Sequence, residues 1–369
     1  MVSAGGQVVW ADGQVVRWLG GQLLMKFLLS KIYGLIASLR VFLYQKGILQ
    51  SHRLKHPVIS VGNLTVGGTG KTPLVGFLAQ ILQKAGYQPV ILSRGYKRNN
   101  KSPVLLVSDI REVFCDPKEC GDEPYLLARK LEGVPVVVGK SRYQAGRLLE
   151  DRYPNLIYIL DDGYQHLQLK RNLNILILDA TDPFGDHHLL PAGRLREPTR
   201  ALARADTIVI TRSHIPSATE NLEEHIRRWN KQVPISYFHH DVTGLYDART
   251  GSRFQARDFL GSSVIALAAI GSPHVFLYDL EHYQMKISDR FLFRDHHPFS
   301  QSELNRVLKR LEEVQARAIV TTEKDAVRLK ELDFQEGQIF VLQIEPQPED
   351  LPEFKKEFLN EVKFLLEAH

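Results

Sequence analysis

The pattern of apolar and polar residues predicts an α/β fold in which buried strands alternate with helices. Short continuous apolar runs, as expected for strands buried on both faces, are separated by amphipathic runs with helical spacing. The apolar runs span residues 57–61, 89–92, 104–107, 135–138, 156–160, 173–178 and 207–210. Such strands, separated by helices, predict a parallel sheet with helices on both faces.

The chain length and a second set of apolar runs predict two α/β/α domains. The chain has 369 residues, more than one ordinary hydrophobic core accommodates. Apolar runs at 263–270, 318–321 and 339–344, with a helical pattern at 301–315, indicate a second and smaller unit. We therefore predict a first domain at 46–233, an extended linker at 234–262, a smaller α/β domain at 263–345 and a C-terminal helix in 346–369.

The N-terminal region has a different pattern. Residues 1–22 form a Gly-rich extension to which we assign no role, and residues 23–45 predict an imperfect amphipathic helix. Lys26, Lys31 and Arg40 interrupt its apolar residues, so no unbroken apolar run approaches the ~18 residues of a membrane-spanning helix. Long basic side chains on an apolar helix can reach a lipid headgroup layer. The alternative is a helix that packs on the body of the protein.

Charge and composition narrow the functional classes. Apolar residues make up 44% of the chain and charged residues 24%, as in a globular protein. The net charge is +5, and residues 1–60 alone carry +6, which favours an anionic surface near the N-terminus. Two cysteines, Cys115 and Cys120, cannot form a disulfide framework, which indicates a reduced protein that faces the cytosol.

A phosphate-binding loop is predicted between the strand at 57–61 and the helix that follows. The stretch from Ser60 to Pro73 reads SVGNLTVGGTGKTP, and apolar residues recur at helical spacing from Leu74 onward. In a P-loop, backbone N–H groups and the helix N-terminus face the phosphates, the lysine reaches the outer phosphates and the hydroxyl binds Mg²⁺. The residues that would bind nucleotide in this way are Gly67, Gly68, Thr69, Gly70, Lys71 and Thr72. Thr65 stands where the common pattern has glycine, and the alternative is a glycine-rich turn with a chance Lys-Thr pair.

A second phosphate-site signal follows another buried strand. Residues 156–160 are apolar and run into Asp161 and Asp162, as in a Walker B strand whose carboxylate holds Mg²⁺ at the edge of the sheet. Together with Thr72, these carboxylates are the predicted metal ligands. A P-loop and a Walker B strand together indicate a nucleoside triphosphatase or a phosphoryl transferase.

Seven short motifs then occur in a fixed order. They are VGGTGKTP (66–73), SRGY (93–96), GDEP (121–124), DDGYQH (161–166), LPAGRLREP (190–198), DHHPF (295–299) and TTEKDA (321–326). With these motifs, the chain resembles the tetraacyldisaccharide 4′-kinase family of lipid A biosynthesis over about residues 30–345. Tyr164 stands where phenylalanine is more usual in that family.

The resemblance implies an activity and a location. Members of that family use Mg-ATP to phosphorylate the 4′-hydroxyl of a lipid A disaccharide 1-phosphate, which forms lipid IVA. They act at the cytoplasmic face of the bacterial inner membrane, and we expect peripheral or monotopic attachment of this chain to the anionic membrane surface. The implied fold is two α/β/α domains, the first of which carries the P-loop.

The resemblance also assigns site residues. It makes Asp122 and His296 a catalytic pair, with Asp122 as the base and His296 supporting it. From spacing alone, Asp122 is a helix N-cap and His296 an ordinary loop histidine. Candidates for binding the acceptor phosphate are Arg94, Arg98, Arg142, Gln165, His166, Arg194 and Arg196. For each arginine, the alternative is a solvated loop charge.

Three other functional classes fit the sequence less well. A membrane-associated P-loop regulatory ATPase carries a second lysine at the position of Val66. The absence of this lysine argues against that class. A nucleotide-gated binding module without catalysis is disfavoured by the polar loops around the phosphate site. Nucleic acid binding has little support, because the basic excess lies in an apolar helix without a base-stacking motif, and no obligate protein partner is indicated.

Overall fold

The computed structural model describes residues 14–215 and 221–367, with side chains from residue 24 onward. Residues 1–13 of the predicted extension lie outside the described residues. The first helix, α1, spans Gln14–Gln45 and so begins nine residues before the predicted start at 23. Part of the expected extension is therefore helical.

The α/β fold is confirmed. Within the described ranges, all strands belong to one sheet: β1 (Val58–Asn63), β2 (Gln88–Ser93), β3 (Val104–Ser108), β4 (Val136–Gly139), β5 (Leu156–Asp161), β6 (Leu173–Asp179), β7 (Thr207–Thr211), β8 (Ile235–Asp247), β9 (Arg253–Phe254), β10 (Ser263–Ala268), β11 (Lys286–Leu292), β12 (Ala318–Thr322) and β13 (Ile339–Pro348). Their order is β11-β10-β12-β13-β8-β7-β6-β1-β5-β2-β4-β3, and β9 pairs with β8. We call strands β1–β7 the first half of the sheet and strands β10–β13 the second half.

Helices cover both faces of this sheet, as predicted. They are α2 (Lys71–Lys84), α3 (Pro117–Cys120), α4 (Asp122–Lys130), α5 (Arg142–Arg147), α6 (Leu222–Trp229), α7 (Pro273–His282), α8 (Gln301–Glu313), α9 (Glu323–Leu329) and α10 (Leu351–Glu367). The C-terminal helix α10 packs against β8 and α2, where Phe354 lies within 4.9 Å of Phe238 and 6.1 Å of Phe77, measured between ring centroids. This packing fixes the helix α2 that follows the glycine-rich turn.

The sheet is not parallel throughout, which corrects the prediction. Strand β3 pairs with β4 in the antiparallel direction at one edge. Residues 94–103, which join β2 to β3, contain no crossover helix, so the chain returns in the opposite direction. The central strands β2, β5, β1, β6 and β7 are parallel, as their continuous burial predicted.

The predicted linker at 234–262 also differs from the structure. Its first part is strand β8, which pairs in parallel with β7 and then in antiparallel with β13 along most of its length. This long strand joins the two halves into one continuous sheet. The extended pattern was visible in the sequence, but the pairing partner β13 lies about a hundred residues away along the chain.

Helix α1 has one docked face and one exposed face. Ser30 Oγ donates a hydrogen bond to the carbonyl of Leu189 at 2.8 Å, and the Tyr33 hydroxyl donates to the carbonyl of Arg196 at 3.0 Å. Large apolar side chains on the remaining surface are exposed: Leu24, Met25, Phe27, Leu28, Leu29, Ile32, Leu35, Ile36, Leu39 and Phe42. By length and composition, Leu24–Gln45 is the one helix in the described ranges that could cross a membrane.

Candidate active site

A cavity of about 940 Å³ lies where the carboxyl ends of the central strands meet the second half of the sheet. The glycine-rich turn, the loop after β2 and the residues after β5 form one wall. Residues at the starts of α7 and α9 and in the loop before α8 form the other. Tyr33 and Arg40 of α1 complete it. Ligands of parallel α/β sheets collect at this edge, so the cavity is the candidate site.

The glycine-rich turn has the geometry of a phosphate-binding loop. Gly70 has a φ of +80° and α2 begins at Lys71, as predicted. The Lys71 ammonium donates to Asn63 Oδ1 at 3.2 Å and to the Gly67 carbonyl at 3.4 Å, and lies 3.9 Å from Asp162 Oδ1. Burial lowers the pKa of Lys71, while the Asp162 carboxylate opposes that shift. The ammonium is therefore held inside the turn, where an anion would contact it.

Thr65 causes no conflict with this assignment. It forms a β-bridge with Leu195, and the neighbouring Val66 N–H donates to the Arg194 carbonyl at 2.8 Å. The backbone at Thr65 is thus extended and pairs with the loop at 188–196. An extended residue needs no glycine, so the departure from the common pattern has a local structural reason.

The back of the turn is held from both halves of the sheet. Arg212, which pairs with Asp179, donates to the Gly68 carbonyl at 2.9 Å. From the second half, Ser272 Oγ donates to the same carbonyl at 3.1 Å. The position of the phosphate-binding turn therefore depends on how the second half is placed.

The two carboxylates that follow β5 differ in environment. Asp161 is buried, and one of its oxygens accepts a hydrogen bond from Ser93 Oγ at 3.0 Å. Burial, together with the charges of Glu123 and Asp162, raises the pKa of Asp161 to about 7. Burial also disfavours ionised Asp162, but the charges of Lys71 and Arg196 outweigh it and hold the pKa of Asp162 below its usual range.

These residues can hold a metal ion of the predicted kind. Thr72, Asp161 and Asp162 line the same cavity, and the buried Asp161 Oδ1 has no hydrogen-bond partner. The described residues contain no group of three His, Cys, Asp or Glu side chains arranged for a metal. Kinase Mg²⁺ sites use one or two carboxylates together with substrate phosphates and water, so the residues present fit Mg²⁺.

Asp122 and His296, which are 174 residues apart, meet across the two halves. His296 Nδ1 lies 3.2 Å from Asp122 Oδ2, and His296 Nε2 lies 3.1 Å from the Lys324 ammonium. Because an ammonium only donates, Nε2 accepts from Lys324 and Nδ1 carries the proton that is donated to Asp122. The interpretation of Asp122 as a helix cap is wrong, because Gly121 occupies the cap position and no side-chain cap hydrogen bond forms.

The Asp122 carboxylate is held in its ionised form. Burial acts to raise its pKa, but hydrogen bonding to His296 and the charge of Arg328 outweigh burial, so the pKa lies below the usual range. His296 lines the cavity, whereas Asp122 is not among the lining residues. The histidine ring therefore connects the buried carboxylate to the cavity.

Five of the seven predicted acceptor-binding residues line the cavity: Arg94, Arg142, Gln165, His166 and Arg196. The other two, Arg98 and Arg194, are not among the lining residues. The Arg98 guanidinium donates to the carbonyl of Ser102 within its own loop. Arg194 is engaged by Asp182 at 2.7 Å and by the Val66 carbonyl at 3.0 Å, so it supports the glycine-rich turn instead.

Three of the lining residues, which we call the Arg142 corner, are Arg142, Gln165 and His166. Arg142 is 4% exposed, and its Nε has no hydrogen-bond partner. Burial and the nearby charge of Arg142 lower the pKa of His166 to about 3, so its imidazole is neutral. Gln165 is fixed by its hydrogen bond to the Asn63 carbonyl at 3.0 Å. Arg196, by contrast, already binds both Asp162 oxygens at 2.8 Å.

Sequence reasoning missed several residues of this site. Ser93, Glu123 and Lys324 line the cavity and lie inside the quoted motifs SRGY, GDEP and TTEKDA. The motifs therefore contained the signal, although no spacing rule singled these residues out. Asn63 is the last residue of strand β1 and Arg212 directly follows strand β7, and their position at the carboxyl end of a strand was the available signal.

Comparison with known proteins gives one consistent family. The family model of the tetraacyldisaccharide-1-P 4′-kinase matches residues 22–363. A tetraacyldisaccharide 4′-kinase from Pelobacter propionicus is 39% identical over 304 residues, with 81% of each chain covered. That of Syntrophus aciditrophicus is 38% identical over 312 residues, which cover 82% of this chain and 83% of the relative. The "apo" form of LpxK from Aquifex aeolicus in complex with ATP superposes with a TM-score of 0.73 at 32% identity, over 93% of this chain and 99% of that one.

Proposed function

The chain belongs to the tetraacyldisaccharide 4′-kinase family, and from this premise we propose how its residues carry out the reaction. It is a P-loop kinase of lipid A biosynthesis that transfers the γ-phosphate of ATP to the 4′-hydroxyl of tetraacyldisaccharide 1-phosphate. The assignments of individual residues below rest on the geometry of the cavity.

The P-loop binds the ATP phosphates. The turn from Gly67 to Gly70 and the N-terminus of α2 face the cavity, and the buried Lys71 ammonium supplies the positive charge. Charge stabilisation by a positioned cation acts on the phosphoryl group during transfer. The single observation that carries this assignment is the placement of Lys71 inside the turn by Asn63 and Gly67.

Thr72, Asp161 and Asp162 would hold Mg²⁺. The ion would supply positive charge that offsets the charge of the phosphates during transfer. The unpartnered Asp161 Oδ1 supports this assignment. Arg196 fixes Asp162 through two hydrogen bonds, which orients that carboxylate before the nucleotide arrives.

The Asp122–His296 pair accepts the proton of the 4′-hydroxyl. Asp122 is the base, because it is ionised and so can take up a proton, and His296, which lines the cavity, orients that carboxylate through its Nδ1–H hydrogen bond. A positioned base assists a weakly nucleophilic hydroxyl as the bond to phosphorus forms. The proton ends on the pair when ADP leaves.

The acceptor is held by the Arg142 corner, with Arg94 beside it. A buried arginine with a free N–H is suited to the 1-phosphate of the acceptor. Neutral His166 and Gln165 can make hydrogen bonds to sugar or phosphate oxygens.

The exposed apolar face of α1 contacts the membrane that supplies the acceptor. Lys26, Lys31 and Arg40 on the same helix favour an anionic headgroup layer. We assign the protein to the cytoplasmic face of the inner membrane, where ATP is available, with peripheral or monotopic attachment.

Phosphate transfer from γ-labelled ATP to detergent-dispersed tetraacyldisaccharide 1-phosphate tests the phosphate-site assignments. Lys71→Ala should nearly abolish transfer, whereas Thr72→Ala and Asp162→Asn should raise the Mg²⁺ concentration needed for half-maximal activity. Arg98→Ala is the matched control, since it removes a basic residue that does not line the cavity. Near-normal turnover by Lys71→Ala protein would refute the P-loop assignment.

A further inference from the structure

Helices α4 and α9 face each other across the two halves of the sheet, and charged side chains of opposite sign pair between them. Three of these pairs have nitrogen–oxygen distances of 3.1 Å: Lys130–Glu323, Glu123–Lys324 and Asp122–Arg328. The basic partner lies on α4 in the first pair and on α9 in the other two. We call these three pairs the interhelix clamp.

Two of the three cations of the clamp, Lys324 and Arg328, each contact one member of the proposed catalytic pair. Besides Glu123, the Lys324 ammonium lies 3.2 Å from Asp295 Oδ1 and 3.1 Å from His296 Nε2. Arg328 Nε lies 3.1 Å from the Asp122 oxygen that His296 also contacts. A second nitrogen of Arg328 donates to the His297 carbonyl at 3.0 Å.

Helix α9 is itself fixed in place. Thr322 caps its N-terminus by accepting from the Asp325 backbone N–H at 3.1 Å. The fully buried Asp325 accepts hydrogen bonds from the Ala269 N–H at 3.0 Å and from Thr322 Oγ1 at 2.8 Å. The sequence motif at 321–326 therefore holds Lys324 in a defined position relative to the second half.

The side chains of the clamp are less exposed than those of a neighbouring ion pair at this interface. The side chains of Arg328 and Lys324 are 9% and 19% exposed, and that of Glu323 is 13% exposed. The nearby Lys118–Glu331 pair is 64% and 63% exposed. Exposed ion pairs contribute little, whereas loss of one partner of a buried pair leaves an uncompensated charge. The clamp should therefore matter where the exposed pair does not.

We propose that Lys324 and Arg328 are positioning residues for phosphoryl transfer, and that the interhelix clamp brings His296 onto Asp122 by drawing the two halves together. This inference rests on the proposed role of the Asp122–His296 pair. Lys324 fixes the ring of His296 from the side opposite Asp122, and Arg328 holds the carboxylate.

Charge reversal at the outer pair tests the clamp without altering the groups that contact Asp122 or His296. Lys130→Glu and Glu323→Lys each place two like charges at the interface, and we expect kcat to fall about tenfold or more, with little change in the dissociation constant for ATP. The double variant Lys130→Glu/Glu323→Lys restores an opposite-sign pair and should recover most of kcat. Lys118→Ala is the control and should retain wild-type kcat.

Substitution of the positioning residues gives the second measurement. Lys324→Met and Arg328→Met should lower kcat by up to about 10²-fold, the loss expected when a catalytic group is misplaced by about 1 Å. Lys324→Arg, which keeps the positive charge, should recover part of the lost kcat. Thermal melting shows whether each variant folds. If a methionine variant does not fold, the charge-reversal series alone tests the proposal.

The outcomes separate this inference from the proposed catalytic pair. Wild-type kcat in both single reversals, or no recovery in the double variant, overturns the clamp. If Asp122→Asn is inactive while the clamp variants are active, the catalytic pair stands and the clamp fails. If Asp122→Asn is fully active, the proposed base is wrong, and the reversal series alone then judges the clamp.

Discussion

Gly271→Ala tests whether close approach of the second half to the P-loop is required for activity. An alanine Cβ at this position would lie 2.6 Å from the Gly68 nitrogen and 3.2 Å from the Gly67 Cα, both backbone atoms that cannot rotate away. Ordinary contact begins at 3.4 Å, so the two segments must separate by about 0.8 Å. The backbone at Gly271 is outside the left-handed region, so the effect comes from contact alone.

The expected magnitude follows from this overlap. Overpacking of a well-packed contact costs about 1–3 kcal/mol, which corresponds to about a 5- to 150-fold loss of the closed arrangement. The loss should appear in kcat, because the separation also weakens the Ser272 contact to Gly68 and parts His296 from Asp122.

Steady-state kinetics with saturating ATP and detergent-dispersed acceptor measure this change, and a melting curve confirms folding. Gly76→Ala is the matched control: it lies in α2, and its new Cβ would meet neighbours only at 3.8 Å or more. Wild-type kcat in Gly271→Ala protein would refute the claim that the P-loop and the second half must approach this closely.

Two further predictions concern the membrane face and pH. Replacing the exposed Leu35 and Ile36 of α1 with serine should reduce co-sedimentation with anionic vesicles and raise the KM for lipid acceptor without changing ATP affinity. Unchanged vesicle binding would place the membrane contact elsewhere. Arg328→Met removes a charge that lowers the pKa of Asp122, so this pKa should rise and the acidic limb of the kcat–pH profile should move to higher pH. If the acidic limb does not move, Asp122 does not set it.

The central strands were predictable because burial on both faces produces continuous apolar runs. Strands β1, β5 and β6 were identified in this way, close to their observed bounds. Strand β11 was not, since its residues alternate between exposed and partly buried at the edge of the sheet. The pairing of β8 with β13 depends on two segments far apart in the chain, so no local pattern contained it.

The candidate site was predictable in part. The P-loop is local in sequence, so strand, turn and helix identified it together. Asp122 and His296 came from family resemblance, because no spacing rule connects residues 174 positions apart. Arg98 and Arg142 are both basic residues near strand ends, yet only Arg142 lines the cavity. Which of them faces the ligand is decided by the fold.

The structure also changes how the N-terminal helix should be tested. The sequence pattern alone would suggest deletion of residues 1–45 as the test of membrane contact. However, Ser30 and Tyr33 contact the loop at 188–196, which pairs with the P-loop. A deletion would therefore disturb nucleotide binding as well as membrane contact, and substitutions on the exposed face are the cleaner choice.

The most direct test of the central claim is kcat of the Asp122→Asn protein in the phosphate-transfer assay. Asparagine keeps the shape of the side chain but cannot accept a proton, and no helix cap is lost, since Asp122 caps nothing. We predict that kcat falls by ~10²–10⁴ with a modest change in the KM for ATP, and that adding His296→Ala causes far less than a multiplicative further loss, because the two residues act as a unit. Wild-type kcat in Asp122→Asn protein would contradict the account, and the base would then have to be sought among the other carboxylates of the cavity.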